Sequence, residues 1–124
     1  EHEFNKWQVR ELILTGKVDV INADAIKAGG ITECKKMAAM AEAFDKPIMV
    51  HNTRPTLGSA ACLQLVASLN NAGRFQEYGG PREYMNLQPY FDNHIEYADG
   101  FLKVPQAPGL GLIVNEKKME ALRK

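Results

Sequence analysis

The chain has 124 residues, 45% of them hydrophobic, and its fifteen Lys and Arg residues are balanced by fifteen Asp and Glu. No apolar run reaches the roughly 20 residues that span a bilayer, and the basic residues are scattered instead of gathered into a stripe, so neither a membrane nor a nucleic acid is expected as a partner. A small molecule is expected in their place. Cys34 and Cys62 lie in Ala-, Met- and Leu-rich segments, which suits packed thiols in a reducing compartment and a cytoplasmic location. Glu1 to Asn5 has neither the basic start nor the apolar core of a secretory leader, and a chain that opens on Glu without Met is read as processed or cut.

Taken in order, Trp7, Val9, Leu12, Ile13 and Leu14 recur at helical spacing between a capping Asn5 and a Gly16 placed to end the helix at C′. Val18-Asp19-Val20-Ile21 is a β-branched run, read as a buried strand that ends near Asp24. Gly29-Gly30 forms a tight loop, Thr32 is a plausible cap, and Met37, Met40, Ala41 and Phe44 mark a helix to about Phe44, with the methionines as core. Pro47-Ile48-Met49-Val50 returns as a second strand with His51 at its carboxyl end. A third helix runs from Gly58 to about Asn70, followed by a short strand around Phe75-Gln76 that ends near Glu77. Beyond Gly79 the rhythm breaks into Gly- and Pro-containing stretches that bracket a β-hairpin at Ala98-Asp99-Gly100, and Glu116 to Lys124 reads as a terminal helix. Helices alternating with short buried strands imply βαβ units on a parallel sheet.

In parallel α/β folds the functional groups gather where strands end, and Asp24, His51 and Glu77 all fall there. Each alone has a bland reading: a cap, a satisfied structural histidine, a surface carboxylate. Their placement on successive strands is harder to dismiss. Gly29-Gly30 lacks the Gly-x-Gly-x-x-Gly fingerprint and is read as turn geometry, not as a phosphate cradle.

The stretches Glu1-His2-Glu3, Asp24-Ala25-Ile26-Lys27-Ala28-Gly29-Gly30-Ile31-Thr32-Glu33, Val50-His51-Asn52 and Phe75-Gln76-Glu77, with Pro108-Gly109-Leu110-Gly111 near the end, resemble the closing strands of the mandelate-racemase branch of the enolase superfamily. The resemblance covers essentially the whole chain. It implies the C-terminal half of a (β/α) barrel of the TIM type, since 124 residues fall well short of the roughly 250 of a closed barrel. Residues 1–80 would be barrel strands and helices, and 81–124 a hairpin-and-helix extension returning toward a capping domain. Glu1, Asp24, His51 and Glu77 match the residues ending the fifth to eighth strands.

By that resemblance, Glu1 is one ligand of a single Mg²⁺ whose other ligands lie outside this chain, and His51 is the base, oriented by Asp24. Glu77 donates a hydrogen bond from the far side to an enediolate. Removing a proton α to a carboxylate at neutral pH needs such stabilisation, and a Lys or His base with magnesium is the general solution in this superfamily. Lys27, His2, Asn52 and Arg54 are candidate substrate contacts, although a loop lysine is commonly only solvated. The expected substrate is an acid sugar, dehydrated to a 2-keto-3-deoxy acid by a lyase. The alternatives are a racemase or epimerase, an isomerase of the same superfamily, and a non-catalytic α/β module. The partners implied are the N-terminal remainder of the enzyme and further copies in a homo-oligomer.

Overall fold

The computed structural model describes residues 2–53, 57–79 and 90–121. Helix α1 spans Lys6–Thr15, and the Asn5 side chain caps it by accepting from the Trp7 and Gln8 N–H groups, both at 3.0 Å. Gly16 ends the helix in the right-handed region, and the left-handed C′ position expected of it falls on Lys17 (φ 50°). Gly16 serves close approach instead, since a Cβ there would lie 2.6 Å from the Leu12 carbonyl oxygen.

Strand β1 is Ile21–Ala23, three residues further along than the β-branched run implied. Val18 packs against the core, while Asp19 and Val20 form an exposed bend, because the ladder starts only where the Ile21 N–H reaches the Pro47 carbonyl at 3.0 Å. A turn at 25–29 leads into α2, Gly30–Ala43, which opens on a left-handed Gly29 (φ 79°). Thr32 therefore sits inside the first turn as an exposed residue and does not cap the helix. Strand β2, Ile48–Val50, pairs parallel to β1 with Ile21 opposite Ile48 and Ala23 opposite Val50. Helix α3 covers Leu57–Ala67.

The strands alternate. Ile21, Ala23, Ile48 and Val50 are buried against Val9 and Ile13 of α1, Cys34, Met37, Ala38 and Ala41 of α2, and Cys62 and Leu65 of α3. Asn22 and Met49, and by the same period Asp24 and His51, point to the opposite face. Both cysteines are free and buried, as packed thiols. Glu33 ties two helices together: its carboxylate takes the Lys6 backbone N–H at 3.2 Å and Lys6 Nζ at 3.1 Å, so one negative charge serves the N-termini of α1 and α2.

The strand expected at Phe75-Gln76 is absent among the described residues. Only Ala72 bridges to Ile48, and the next positions on β2 are taken by a side chain. Gln76 Oε1 accepts from the Val50 N–H at 3.0 Å, while Nε2 donates to the carbonyls of Ile48 at 3.2 Å and Gly73 at 2.8 Å. The main chain of Asn71 and Gly73 still pairs with Ile48, at 2.9 and 2.7 Å, so the amide side chain supplies the acceptor that a neighbouring main chain would bring at Val50 and adds a second donor at the Ile48 carbonyl. In the Gln76→Leu variant the Val50 N–H loses its acceptor while the Ile48 carbonyl keeps the Gly73 N–H at 2.7 Å, and unfolding should become easier by about 1–3 kcal/mol. A urea midpoint equal to the parent's would show that these bonds contribute nothing.

The extension forms the expected hairpin. Strands β3 (Tyr97–Ala98) and β4 (Phe101–Leu102) pair antiparallel about Asp99 and Gly100, both left-handed (φ 51° and 81°), as a two-residue I′-type turn requires. Helix α4 follows at Glu116–Glu120, capped by Asn115; the last residues of the helix read from sequence, 122–124, lie outside the described residues. Gln64 of α3 donates to the Pro105 carbonyl at 2.8 Å, and Tyr78 stacks on Tyr97 at 6.4 Å, so the extension is held to the α/β part. No helix among the described residues is long and apolar enough to cross a membrane.

Candidate active site

Asp24 follows directly on β1 and His51 directly on β2, and the backbone bond from His51 N–H to the Ala23 carbonyl, 2.7 Å, holds the two strand ends together. Their side chains meet: His51 Nδ1 lies 2.8 Å from Asp24 Oδ2. Asp24 is only 3% exposed. Its Oδ1 accepts the N–H groups of Ile26 at 2.7 Å and Lys27 at 3.1 Å, which winds the 25–29 turn around the carboxylate. Burial pushes the Asp24 carboxyl up, but the hydrogen bonds from His51, Ile26 and Lys27 and the charge of His51 outweigh it and hold the group below its ordinary value. The group is therefore a carboxylate, an acceptor only, and Nδ1 of His51 must carry the proton between them. In the neutral ring Nε2 is then the nitrogen without a hydrogen.

The pair opens on a recess of about 170 Å³ lined by Asp24, Ile26, Lys27, His51, Asn52 and Thr53. Sites that hold a small molecule commonly enclose some 300–1,000 Å³, so this recess alone is smaller than such a site. Lys27 Nζ stands 3.7 Å from Asp24 Oδ2. Asn52 is buried, with its Oδ1 accepting from Ser59 Oγ at 2.5 Å and its N–H donating to Glu77 Oε2 at 3.1 Å. Glu77 thus reaches the His51 strand end as an acceptor, through a neighbour's backbone and from a loop.

Of the residues singled out in the sequence, Asp24, His51, Lys27 and Asn52 share the recess, and Glu77 adjoins it. His2 is exposed and does not line it. Glu1 and Arg54 lie outside the described residues. Ile26 and Thr53, which the sequence reading passed over, line the recess as well, and the signal was their position two residues past Asp24 and His51. Ser59 gave no signal, being one small residue in an apolar helix. Cys62 Sγ lies 3.7 Å from the His51 carbonyl, and burial pushes both the Cys34 and Cys62 thiols up to about 11, so neither is a nucleophile at neutral pH. Among the described residues no three His, Cys, Asp or Glu side chains stand close enough to hold a metal ion, so those residues build no metal cage of their own.

Comparison with known proteins agrees with this fold. The chain is 34% identical over 121 residues to the D-galactonate dehydratase of Ralstonia pickettii, an alignment covering 94% of this chain and 31% of that protein. It thus spans about a third of the length of the curated relatives it matches. Among solved structures, an enolase-superfamily member from Polaromonas sp. JS666 superposes with a TM-score of 0.82 at 34% identity, over 98% of this chain and 32% of that one. A mandelate racemase/muconate lactonizing protein from Paracoccus denitrificans, complexed with magnesium, gives 0.84 at 30% identity over 98% and 32%. The model of the enolase C-terminal domain-like family matches residues 1–118. With its parallel β/α units and its acid and imidazole on adjacent strand ends, the chain belongs to that family and carries part of an enolase-superfamily barrel.

Proposed function

We propose that this chain supplies the proton-transfer wall of a barrel enzyme that removes the proton α to a carboxylate, and that the reaction is the dehydration of an acid sugar to a 2-keto-3-deoxy acid. The observation that carries the reading is the 2.8 Å contact between His51 Nδ1 and Asp24 Oδ2 at the mouth of the recess. His51 Nε2 takes the C2 proton, and Asp24 holds the ring in the tautomer that leaves Nε2 an acceptor and favours the imidazolium once formed. The electrons of the C2–H bond pass into an enediolate. The C3 hydroxyl then leaves as water, taking up a proton equal to the one His51 removed from C2, and gives an enol, which tautomerises to the keto acid.

Glu77 flanks His51 through Asn52. To donate to the enediolate it would have to carry a proton on the oxygen not bound by Asn52. Asn52 acts chiefly by fixing the peptide after His51, Lys27 stands at the edge of the recess, and His2 and Arg54 belong to the substrate side. The described residues hold no three-ligand metal cluster; by the family likeness, magnesium would be held by Glu1 together with ligands outside the chain, where it would neutralise the substrate carboxylate. The remaining wall, the capping residues and the N-terminal barrel strands come from the part of the enzyme beyond this chain, with residues 81–124 returning toward it. The assembly is expected to be a homo-oligomer.

The experiment offers acid sugars, D-galactonate first because of the dehydratase relatives, to the complete enzyme with Mg²⁺ and assays for a 2-keto acid. Keto-acid formation is expected. Inversion at C2 with no keto product would replace the dehydratase reading by the epimerase one, which the likeness to a mandelate racemase/muconate lactonizing protein favours.

A further inference from the structure

The Asp24 carboxylate is shared unequally. Oδ1 is saturated by two backbone N–H groups, while Oδ2 faces two side chains, His51 at 2.8 Å and the Lys27 ammonium at 3.7 Å. The Lys27 backbone is itself one of the donors to Oδ1, and the Ala28 N–H closes the turn onto the Asp24 carbonyl at 2.8 Å. The side chain is therefore directed back toward the carboxylate by the turn that carries it. With His51 neutral, one cation faces one anion. With His51 protonated, two cations crowd one oxygen in a site where Asp24 is 3% exposed. Coulomb repulsion between them then disfavours the imidazolium.

Among the described residues, other ionisable groups also stand near His51 and Asp24. Cys62 of α3 meets the His51 carbonyl, Glu77 reaches the next residue's N–H, and the Asp24 charge acts on Cys34 of α2. Both thiols are neutral. Among the described residues, the charges near the ring from β1, the turn after it and the 71–79 segment include Asp24, Lys27 and Glu77. Lys27 is the cation among them.

On the reading of His51 as the base, we propose that Lys27 is a positioning residue that keeps His51 in its proton-accepting form by competing with it for the Asp24 carboxylate, and is not a substrate ligand. The sign follows directly. Without the ammonium the Asp24 anion acts on the ring with one competing cation fewer, His51 holds its proton to higher pH, and the acidic limb of kcat/KM moves up.

The test uses Lys27→Met and Lys27→Arg in the complete enzyme, with two readouts: the pH profile of turnover, and the NMR titration of the His51 ring without substrate. Lys27→Met is expected to raise both the limb and the ring titration by about half a pH unit, with KM within twofold of the parent, and Lys27→Arg to restore them. An unmoved ring titration with a raised KM would make Lys27 a substrate contact and overturn the proposal. A ring titration that moves in an enzyme turning over no acid sugar leaves the charge competition standing and removes only the reaction assigned above.

Discussion

His51→Asn in the complete barrel is expected to lower kcat/KM about 10²- to 10⁴-fold, the share that a positioned general base contributes. Asparagine can still meet Asp24 Oδ2, where the imidazole now lies at 2.8 Å, but it cannot accept a proton. Because the His51 side chain is 16% exposed and its ring lies at the mouth of the recess instead of among the core residues, the fold should survive the change, and an unaltered unfolding midpoint would confirm that. The informative readout is exchange of the substrate's α-proton with solvent deuterium alongside keto-acid formation. The two should fall together, since they share the abstraction step. Exchange at the parental rate with dehydration lost would place His51 after abstraction and refute its assignment as the base.

Asp24→Asn should cost turnover on a similar scale, about 10²- to 10⁴-fold, for a different reason. The amide can donate to the ring as well as accept from it, so the tautomer with the proton on Nε2 becomes available and the base is blocked. The same substitution has a signature in stability. The Asp24 carboxyl is held below its ordinary value in the folded protein, by hydrogen bonds and charge that outweigh burial. Its contribution is therefore fully present above the ordinary carboxylate range and is lost as pH falls through the folded value. Unfolding midpoints followed from neutral pH into acid should decline more steeply for the parent than for Asp24→Asn. Parallel curves would mean that the carboxylate is not held down in the native state.

What could be read in the sequence follows the range of the interactions. Asn5 was legible as a cap because its partners, the N–H groups of Trp7 and Gln8, are two and three residues away. Asp24 and His51 were legible because each follows a short apolar strand, and strand ends in a parallel fold share one face. The hairpin at Asp99-Gly100 announced itself by its turn residues. Thr32 misled because a left-handed Gly29 already starts the helix. Gln76 was read as strand for want of any local mark that its side chain reaches Ile48 and Val50, 28 and 26 residues earlier. The turn that sends Lys27 back toward Asp24 was equally hidden, since it depends on where β1 stops. Ser59, holding Asn52 from a helix, has no periodic signature at all.

Gln76 also changes how this edge of the sheet is encoded. A main-chain ladder tolerates almost any residue except proline, because every residue carries the same N–H and C=O. Here the acceptor for the Val50 N–H and a second donor to the Ile48 carbonyl are carried by one side chain, and only asparagine and glutamine offer an amide donor and acceptor together. Asparagine is one methylene shorter than the side chain that now bridges to Ile48 and Val50. The link between β2 and the residues leading to Glu77 therefore rests on a single side chain at Val50, while Ile48 and Asn52 keep main-chain partners in Asn71, Gly73 and Gly79. A change at that one position would take the acceptor from the N–H of the residue just before His51.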